Sequence, residues 1–263
     1  MTILQSIFLG MVQGLTEFLP VSSSGHLAFF QSLLGMKEPL LFFDVMLHLG
    51  TLFAVVIYFW TDIWKIVQGI KATLKREKKG HHQAELFLWI ILATIPTGIM
   101  GIFFKDWFES LFSKPKAVGA MLLITGLVLW LTRWVKKEGR LLERMGWIDS
   151  IIIGTAQGLA IIPGISRAGA TISTGLFCGL DRELSGRFSF LLSILAILGA
   201  TLLEFPKIGG VRELWTTLIG TAVAFGVGIL SLTFLMKVIK MGKIGNFSYY
   251  CWGMGILIIL LTK

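Results

Sequence analysis

Apolar residues run along this chain in long blocks, without the sustained alternation of polar and apolar positions that a half-solvated element shows. Six blocks, at roughly 40–60, 84–104, 117–135, 188–205, 214–236 and 246–262, are long enough as helices to cross a membrane, whose hydrocarbon layer is about 30 Å thick. Two further apolar stretches are interrupted. Residues 3–19 and 26–36 are split by Pro20, Ser22, Ser23, Ser24 and Gly25, and residues 148–162 and 170–180 by Pro163, Gly164, Ser166, Arg167 and Gly169. The second arm of each has about eleven residues, which at about 1.5 Å per residue reaches half way across the bilayer. The pattern therefore predicts an all-α integral membrane protein with six transmembrane helices and two re-entrant helical hairpins. Irregular backbone at membrane depth survives only where protein shields it or water reaches it, so both breaks are candidate sites.

Composition agrees with the blocks. Of the 263 residues, 55% are hydrophobic and 15% charged, with a mean hydropathy of +0.80. Soluble domains average roughly 45–50% apolar and about 25% charged, so soluble enzymes and nucleic-acid binders are excluded. The +9 charge is then explained by cytoplasmic loops, without a nucleic-acid partner. Cys178 and Cys251 lie in apolar runs without metal-ligand spacing and read as small core residues. The opening run MTILQSIFLGMVQGLTEF lacks a basic start and a cleavage pattern, and reads as mature sequence.

Loop charge orients the blocks. With 61–83 cytoplasmic, so are 133–146, Arg182, Arg187, Lys237, Lys240 and Lys243. The smaller basic set, Lys37, Lys105, Lys114, Lys116, Lys207, Arg212 and Lys263, then lies outside. The first hairpin enters from outside and the second from inside. The chain divides into an inverted repeat within one transmembrane domain: residues 1–146, with hairpin 1–36, and residues 147–263, with hairpin 148–180, each hairpin preceding three spans. Gln13-Gly14-Leu15 before the first break is echoed by Gln157-Gly158-Leu159 before the second. Inverted repeats bring their broken helices together near the midplane, where a substrate can be held.

Few ionisable residues interrupt the apolar segments: Glu17, His26, Asp44, His48 and Arg167, with Glu204 nearer a segment end. Such residues are expensive in a membrane, so each needs a function or a partner, for instance a Glu17–Arg167 pair locking the hairpins together. Asp44 and His48, four apart, can pair with each other. Gln13 and Glu17 are also four apart, so their oxygens share a helix face and suit a hard cation, Mg²⁺ or Ca²⁺. The second break gathers helix-start N–H groups, Ser166, Thr171 and Arg167, a set that favours an anion such as phosphate. Ser22, Ser23 and Ser24 offer the first break the same geometry, although N-capping explains either set alone. With Glu17 and His26 alongside, acid–base hydrolysis becomes chemically available: His26 as base for a hydroxyl or water, Glu17 orienting it or holding a metal, Arg167 stabilising phosphoryl charge. A proton-coupled transporter or lipid flippase carries similar groups.

QGLTEFLPVSSSGHL at 13–27 and QGLAIIPGISRAGATIS at 157–173 resemble the two signatures of the undecaprenyl-diphosphate phosphatase family, the bacitracin-resistance proteins. The resemblance extends through FFDVMLHLGTLFA at 42–54 and LDRELSGRFSFLLS at 180–193, and covers essentially the whole chain. It implies hydrolysis of undecaprenyl diphosphate to undecaprenyl phosphate, recycling the lipid carrier of bacterial wall synthesis, with a divalent cation as activator. On the family's motifs the catalytic residues are Glu17, Ser23, His26 and Arg167. The same motifs imply Gly164, Ser166, Gly169 and Thr171 as substrate-binding and Gln13 and Glu17 as metal ligands, while Ser22 and Ser24 join the substrate-binding set from the first break's own hydroxyls. The expected partners are the polyprenyl diphosphate lipid and the bilayer of the bacterial inner (plasma) membrane, with the site facing the extracytoplasmic side. A homodimer is compatible with this reading and not demanded by it. Two positions depart from the family pattern: Ala168 stands where Ser is usual after the motif arginine, and Leu195 where Pro often follows. The first implies a dispensable hydroxyl or a reduced activity, the second a straighter helix.

Overall fold

Long apolar blocks without internal turn signals propagate as helices, because in a bilayer every backbone N–H and C=O must be satisfied within the segment. A computed structural model describes residues 1–36, 40–75, 81–112, 114–136, 138–204 and 213–262. The basic residues Lys37, Arg76, Lys78, Lys79, Lys137, Lys207, Arg212 and Lys263 lie outside them. The described residues form twelve α-helices and no strand: α1 (Ile3–Thr16), α2 (Ser23–Leu33), α3 (Leu41–Tyr58), α4 (Trp60–Leu74), α5 (His81–Phe103), α6 (Lys105–Phe112), α7 (Pro115–Leu131), α8 (Trp147–Leu159), α9 (Arg167–Phe177), α10 (Arg182–Glu204), α11 (Leu214–Lys240) and α12 (Phe247–Leu261). Six segments, built on α3, α5, α7, α10, α11 and α12, are long and apolar enough to cross a membrane. The protein is a multi-pass membrane protein, and apolar side chains cover its outside, with Leu230 72% and Leu260 77% exposed.

Three stretches depart from the hydropathy pattern. Residues 61–74, expected as part of the charged loop 61–83, lie in α4, which buries Ile66 and Gly69 and pairs Asp62 with Arg187 at 2.8 Å. Its turn-spaced Ile63, Ile66 and Ile70 were hidden by Lys65, Lys71 and Lys75 among and after them. The span expected from 188 begins at Arg182, because the Asp181 carboxylate accepts hydrogen bonds from the N–H groups of Glu183 and Leu184 and caps the helix early. The short α6 was not expected.

Close crossings set the helix directions. α1 runs parallel to α11: Ser6 donates to the Thr216 carbonyl, and Gly10 lies so near Gly220 that a Cβ would meet its carbonyl oxygen at 2.5 Å. α8 runs parallel to α5, with Gly154 against Ala93 and Gln157 Nε2 donating to Thr97 Oγ1 at 3.1 Å. α7 and α12 cross antiparallel, Gly119 facing Ile259 and Gly255 facing Leu123.

The basic stretches grouped by loop charge meet at one end of the bundle. Besides Arg187–Asp62, Lys240 pairs with Glu183 at 2.9 Å, and Arg133 donates to Asn246 Oδ1 at 3.0 Å. Arg140 holds Asp149 at 2.7 Å and the Cys178 carbonyl at 2.6 Å, and the Asp149 hydrogen bond raises its guanidinium above the ordinary value. Met1 and Glu213 pair elsewhere, at 2.6 Å, near the start of α11.

Candidate active site

Glu17 closes α1 as its C-cap, its N–H bonded to the Gln13 carbonyl, and the chain then turns through Pro20 before α2 starts at Ser23. Ser22, the residue before that start, has φ +69°, a region that a Cβ disfavours, and its side chain makes no capping bond. The second break is built differently. Gly164 takes φ +96° against the Val118 carbonyl, where no Cβ fits. Thr125 of α7 donates to the Gly164 carbonyl at 3.0 Å and accepts from Ser166 N–H at 3.1 Å. Ser166 then caps α9, its Oγ accepting from Gly169 N–H at 3.1 Å.

The two breaks touch. A Cβ on Gly169 would lie 3.3 Å from Pro20, and one on Gly25 would lie 3.9 Å from Gly164 Cα. Across this seam Arg167 Nη2 donates to Glu17 Oε1 at 2.7 Å. The other carboxylate oxygen, Oε2, accepts from Ser23 Oγ at 2.7 Å and from Gln13 Nε2 at 3.1 Å, and lies 3.8 Å from His48 Nε2. Only 7% of the Glu17 side chain and 16% of the Arg167 side chain are exposed, so neither charge is solvated by bulk water. Arg167 also lies over the Phe190 ring, at 5.9 Å. Among the described residues, its buried Nη1 has no acceptor, and the buried Gln13 Oε1 has no donor. An unpaired cationic donor and an unpaired oxygen flank one carboxylate and one hydroxyl. A phosphate oxygen suits the first, and a proton donor or a hard cation the second.

The remaining candidates divide. Ser22 and Ser24 hydroxyls lie 3.5 Å apart at the uncapped start of α2. Thr171 is turned into the protein, donating to the Arg167 carbonyl at 2.8 Å and meeting Ser189 Oγ at 2.5 Å. Ser166 is likewise occupied as a cap. The proton relay expected through His26 has another order here: Ser23 meets Glu17 directly, while His26 Nδ1 faces the Ser22 carbonyl and Nε2 the Tyr250 hydroxyl, each at 2.8 Å. The Asp44–His48 pair also differs, since His48 Nδ1 faces the Asp44 carbonyl and the Asp44 carboxylate takes a hydrogen bond from Gln31 at 2.6 Å. Tyr250, Thr125 and Phe190 were missed as site residues. Tyr250 and Phe190 lie in apolar spans far along the chain, and nothing in their local pattern marks them.

Comparison with known proteins bears on what such a seam does. The family model for bacitracin resistance protein BacA matches residues 6–257. The chain belongs to this family. Among similar curated proteins, undecaprenyl-diphosphatase of Halothermothrix orenii is 45% identical over 266 residues, covering 100% of this chain and 99% of the relative. Undecaprenyl-diphosphatases of Desulfatibacillum aliphaticivorans and Alkaliphilus metalliredigens are 43% and 44% identical, over 98% and 100% of this chain and 98% and 99% of theirs. Ala168, the departure from the family motif, is 1% exposed and packs in the core around Ile172 and Phe190, so a small apolar side chain is accommodated there.

A divalent cation fits the seam in a limited way. Gln13 Oε1 is an orphaned buried acceptor beside a carboxylate, but among the described residues no three His, Cys, Asp or Glu side chains form a metal-binding group. An ion held by Gln13 and Glu17 would draw its other ligands from phosphate and water, the usual mode for Mg²⁺.

Proposed function

We propose that this protein is an undecaprenyl-diphosphatase, hydrolysing undecaprenyl diphosphate to undecaprenyl phosphate and inorganic phosphate, and thereby recycling the carrier lipid of bacterial wall synthesis and conferring bacitracin resistance. The observation that carries the reading is the partly buried Ser23–Glu17–Arg167 contact across two helix breaks, in a chain whose relatives, matched over 98–99% of their length, bear that name. Arg167 Nη1 and the uncapped N-terminus of α2, with Ser22, Ser24 and the backbone at Gly164 and Gly169 around it, bind the diphosphate. Glu17 Oε2 takes the Ser23 proton as Oγ attacks the terminal phosphorus. The bond from that phosphorus to the bridging oxygen breaks, and its electron pair leaves with undecaprenyl phosphate. Water then attacks the phosphoserine while Glu17 gives its proton to the departing Ser23 Oγ, and the water's oxygen and both its protons leave as inorganic phosphate. When bound by Gln13 and Glu17, Mg²⁺ or Ca²⁺ supplies charge neutralisation for the phosphate oxygens. Ser166 and Thr171 act by holding α9, and so Arg167, in place.

The finer architecture belongs to the same reading. We take 1–146 and 147–263 as inverted repeats of one transmembrane domain, their hairpins re-entrant from opposite faces. Three features support this: Gly10 on α11 is matched by Gly154 on α5, Gly119 and Gly255 make reciprocal contacts, and α1 and α8 each run parallel to a span of the other repeat. The arms are short too. At 14 residues for α1 and 11 for α2, they fall below the roughly 20 residues a crossing needs. The basic end then faces the cytoplasm of a bacterial inner membrane, with the site opening outward so that the polyprenyl tail stays in lipid. A homodimer is not needed to complete the site.

Purified protein in detergent, given undecaprenyl diphosphate with and without chelator, tests the function. Phosphate release that is lost in Glu17→Ala and Arg167→Ala, and reduced by chelator, is the expected result. No release from folded protein with metal supplied would overturn hydrolysis in favour of transport. Rapid quench should trap phosphoserine at Ser23, and full activity in Ser23→Ala would leave an activated water as nucleophile.

A further inference from the structure

His26 is 2% exposed, and both of its ring nitrogens are in use. Nδ1 lies 2.8 Å from the Ser22 carbonyl oxygen. A carbonyl only accepts, so Nδ1 carries the proton, and in the neutral ring Nε2 is an acceptor. Among the described residues the group on Nε2 is the Tyr250 hydroxyl, 2.8 Å away on α12, with the two rings nearly parallel at 14° and 5.7 Å between centroids. Tyr250 therefore donates to Nε2 and fixes both the tautomer and the ring's orientation. The ring in turn holds the carbonyl of Ser22, whose φ of +69° is disfavoured for a residue with a Cβ. The next residue is Ser23, with Oγ on Glu17. The Tyr250 hydroxyl is thus two hydrogen bonds from the turn that aims the Ser23 hydroxyl.

We infer that Tyr250 is a positioning residue for the hydrolytic step: its hydroxyl, delivered from the last helix, locks His26 as the Nδ1–H tautomer and through it holds the Ser22 turn that aims Ser23 at Glu17. The inference rests on the proposed hydrolysis of undecaprenyl diphosphate. It explains why a tyrosine 224 positions away in sequence reaches into the first break. It also gives His26 a use that does not require contact with Ser23. The ring would be protonated only with Tyr250 turning from donor to acceptor, which a hydroxyl can do by rotation.

Tyr250→Phe removes the hydroxyl and keeps the ring. In the whole protein in nanodiscs, with undecaprenyl diphosphate as substrate, the variant should lower kcat by about tenfold, the scale of losing one partly buried hydrogen bond, with KM within about twofold and the folded, active fraction unchanged. A purely structural tyrosine would lower the melting temperature or the active fraction without this split. Histidine-selective ¹⁵N spectra give a second reading: the His26 Nε2 resonance, assigned by its absence in His26→Gln, should move in Tyr250→Phe. Wild-type kcat in Tyr250→Phe, a loss carried by KM alone, or an unmoved Nε2 resonance would each overturn the inference. If the wild-type protein releases no phosphate, hydrolysis itself fails, and the resonance still decides whether Tyr250 holds the ring.

Discussion

The two helix breaks share a sequence signature, Gln-Gly-Leu followed by Pro, Ser and Gly, yet they are built to opposite ends. The second is closed on itself: Ser166 caps α9, Thr125 ties both sides of the turn, and Gly164 supplies the left-handed backbone. The first is left open. Ser22 carries a positive φ without being glycine, α2 has no side-chain cap, and Ser23 points at a buried carboxylate. A turn whose donors are satisfied internally makes a rigid support, here for Arg167. A turn that leaves donors unsatisfied and backbone disfavoured keeps them for something else. One signature thus yields a tied, capped turn in one half of the chain and an uncapped one, facing a buried carboxylate, in the other.

The largest effect should come from the bond that joins the two. Arg167→Met is expected to lower phosphate release by about 10³-fold or more, as removal of a phosphoryl-stabilising arginine does. It also strands the Glu17 charge, at a cost of about 3–5 kcal/mol in stability. Glu17→Leu/Arg167→Met, which removes both charges, should recover most of that stability and none of the activity. A double variant that melts below Arg167→Met would break the idea that the pair couples the two breaks.

Next in size is the scaffold. Gly164→Ala places a Cβ on the Val118 carbonyl in a left-handed conformation, and should lower stability by about 2–4 kcal/mol. Thermal unfolding in detergent reads this directly; a change within error would mean that the second break is not rigid. Ser166→Ala removes one cap and should lose about 1 kcal/mol in the same assay. Ser24→Ala, at the uncapped helix start, should stay within about 0.5 kcal/mol while lowering phosphate release.

One small effect should have the opposite sign. Ser22→Gly relieves the positive φ and is expected to raise stability by about 0.5–1 kcal/mol, with a lower kcat as the turn loosens. A stability gain without loss of kcat would separate the strained turn from catalysis.

Much of this was legible before the structure. A membrane leaves little choice about an apolar block of 20 residues, so six spans could be placed within a few residues, apart from the early start of α10. Glu17 and Arg167 stood out because charge is scarce in such blocks, and a mutual pairing was foreseeable. The amphipathic α4 was hidden by its lysines, and Tyr250 by the ordinariness of a tyrosine near the start of a span.

Sequence alone determined which blocks are long and apolar enough to cross, where the chain breaks and which residue types the breaks hold, since burying an unsatisfied backbone or an unpaired charge in hydrocarbon is costly enough to show in local composition. Only the tertiary structure decided who meets whom. That Ser23 faces Glu17 and not His26, that His26 leans on Tyr250, and that Ser166 caps while Ser22 does not, depends on helix crossings between residues far apart in sequence. Those crossings are set by close packing of small residues such as Gly10 on Gly220 and Gly119 beside Gly255, contacts that neither partner's local sequence specifies.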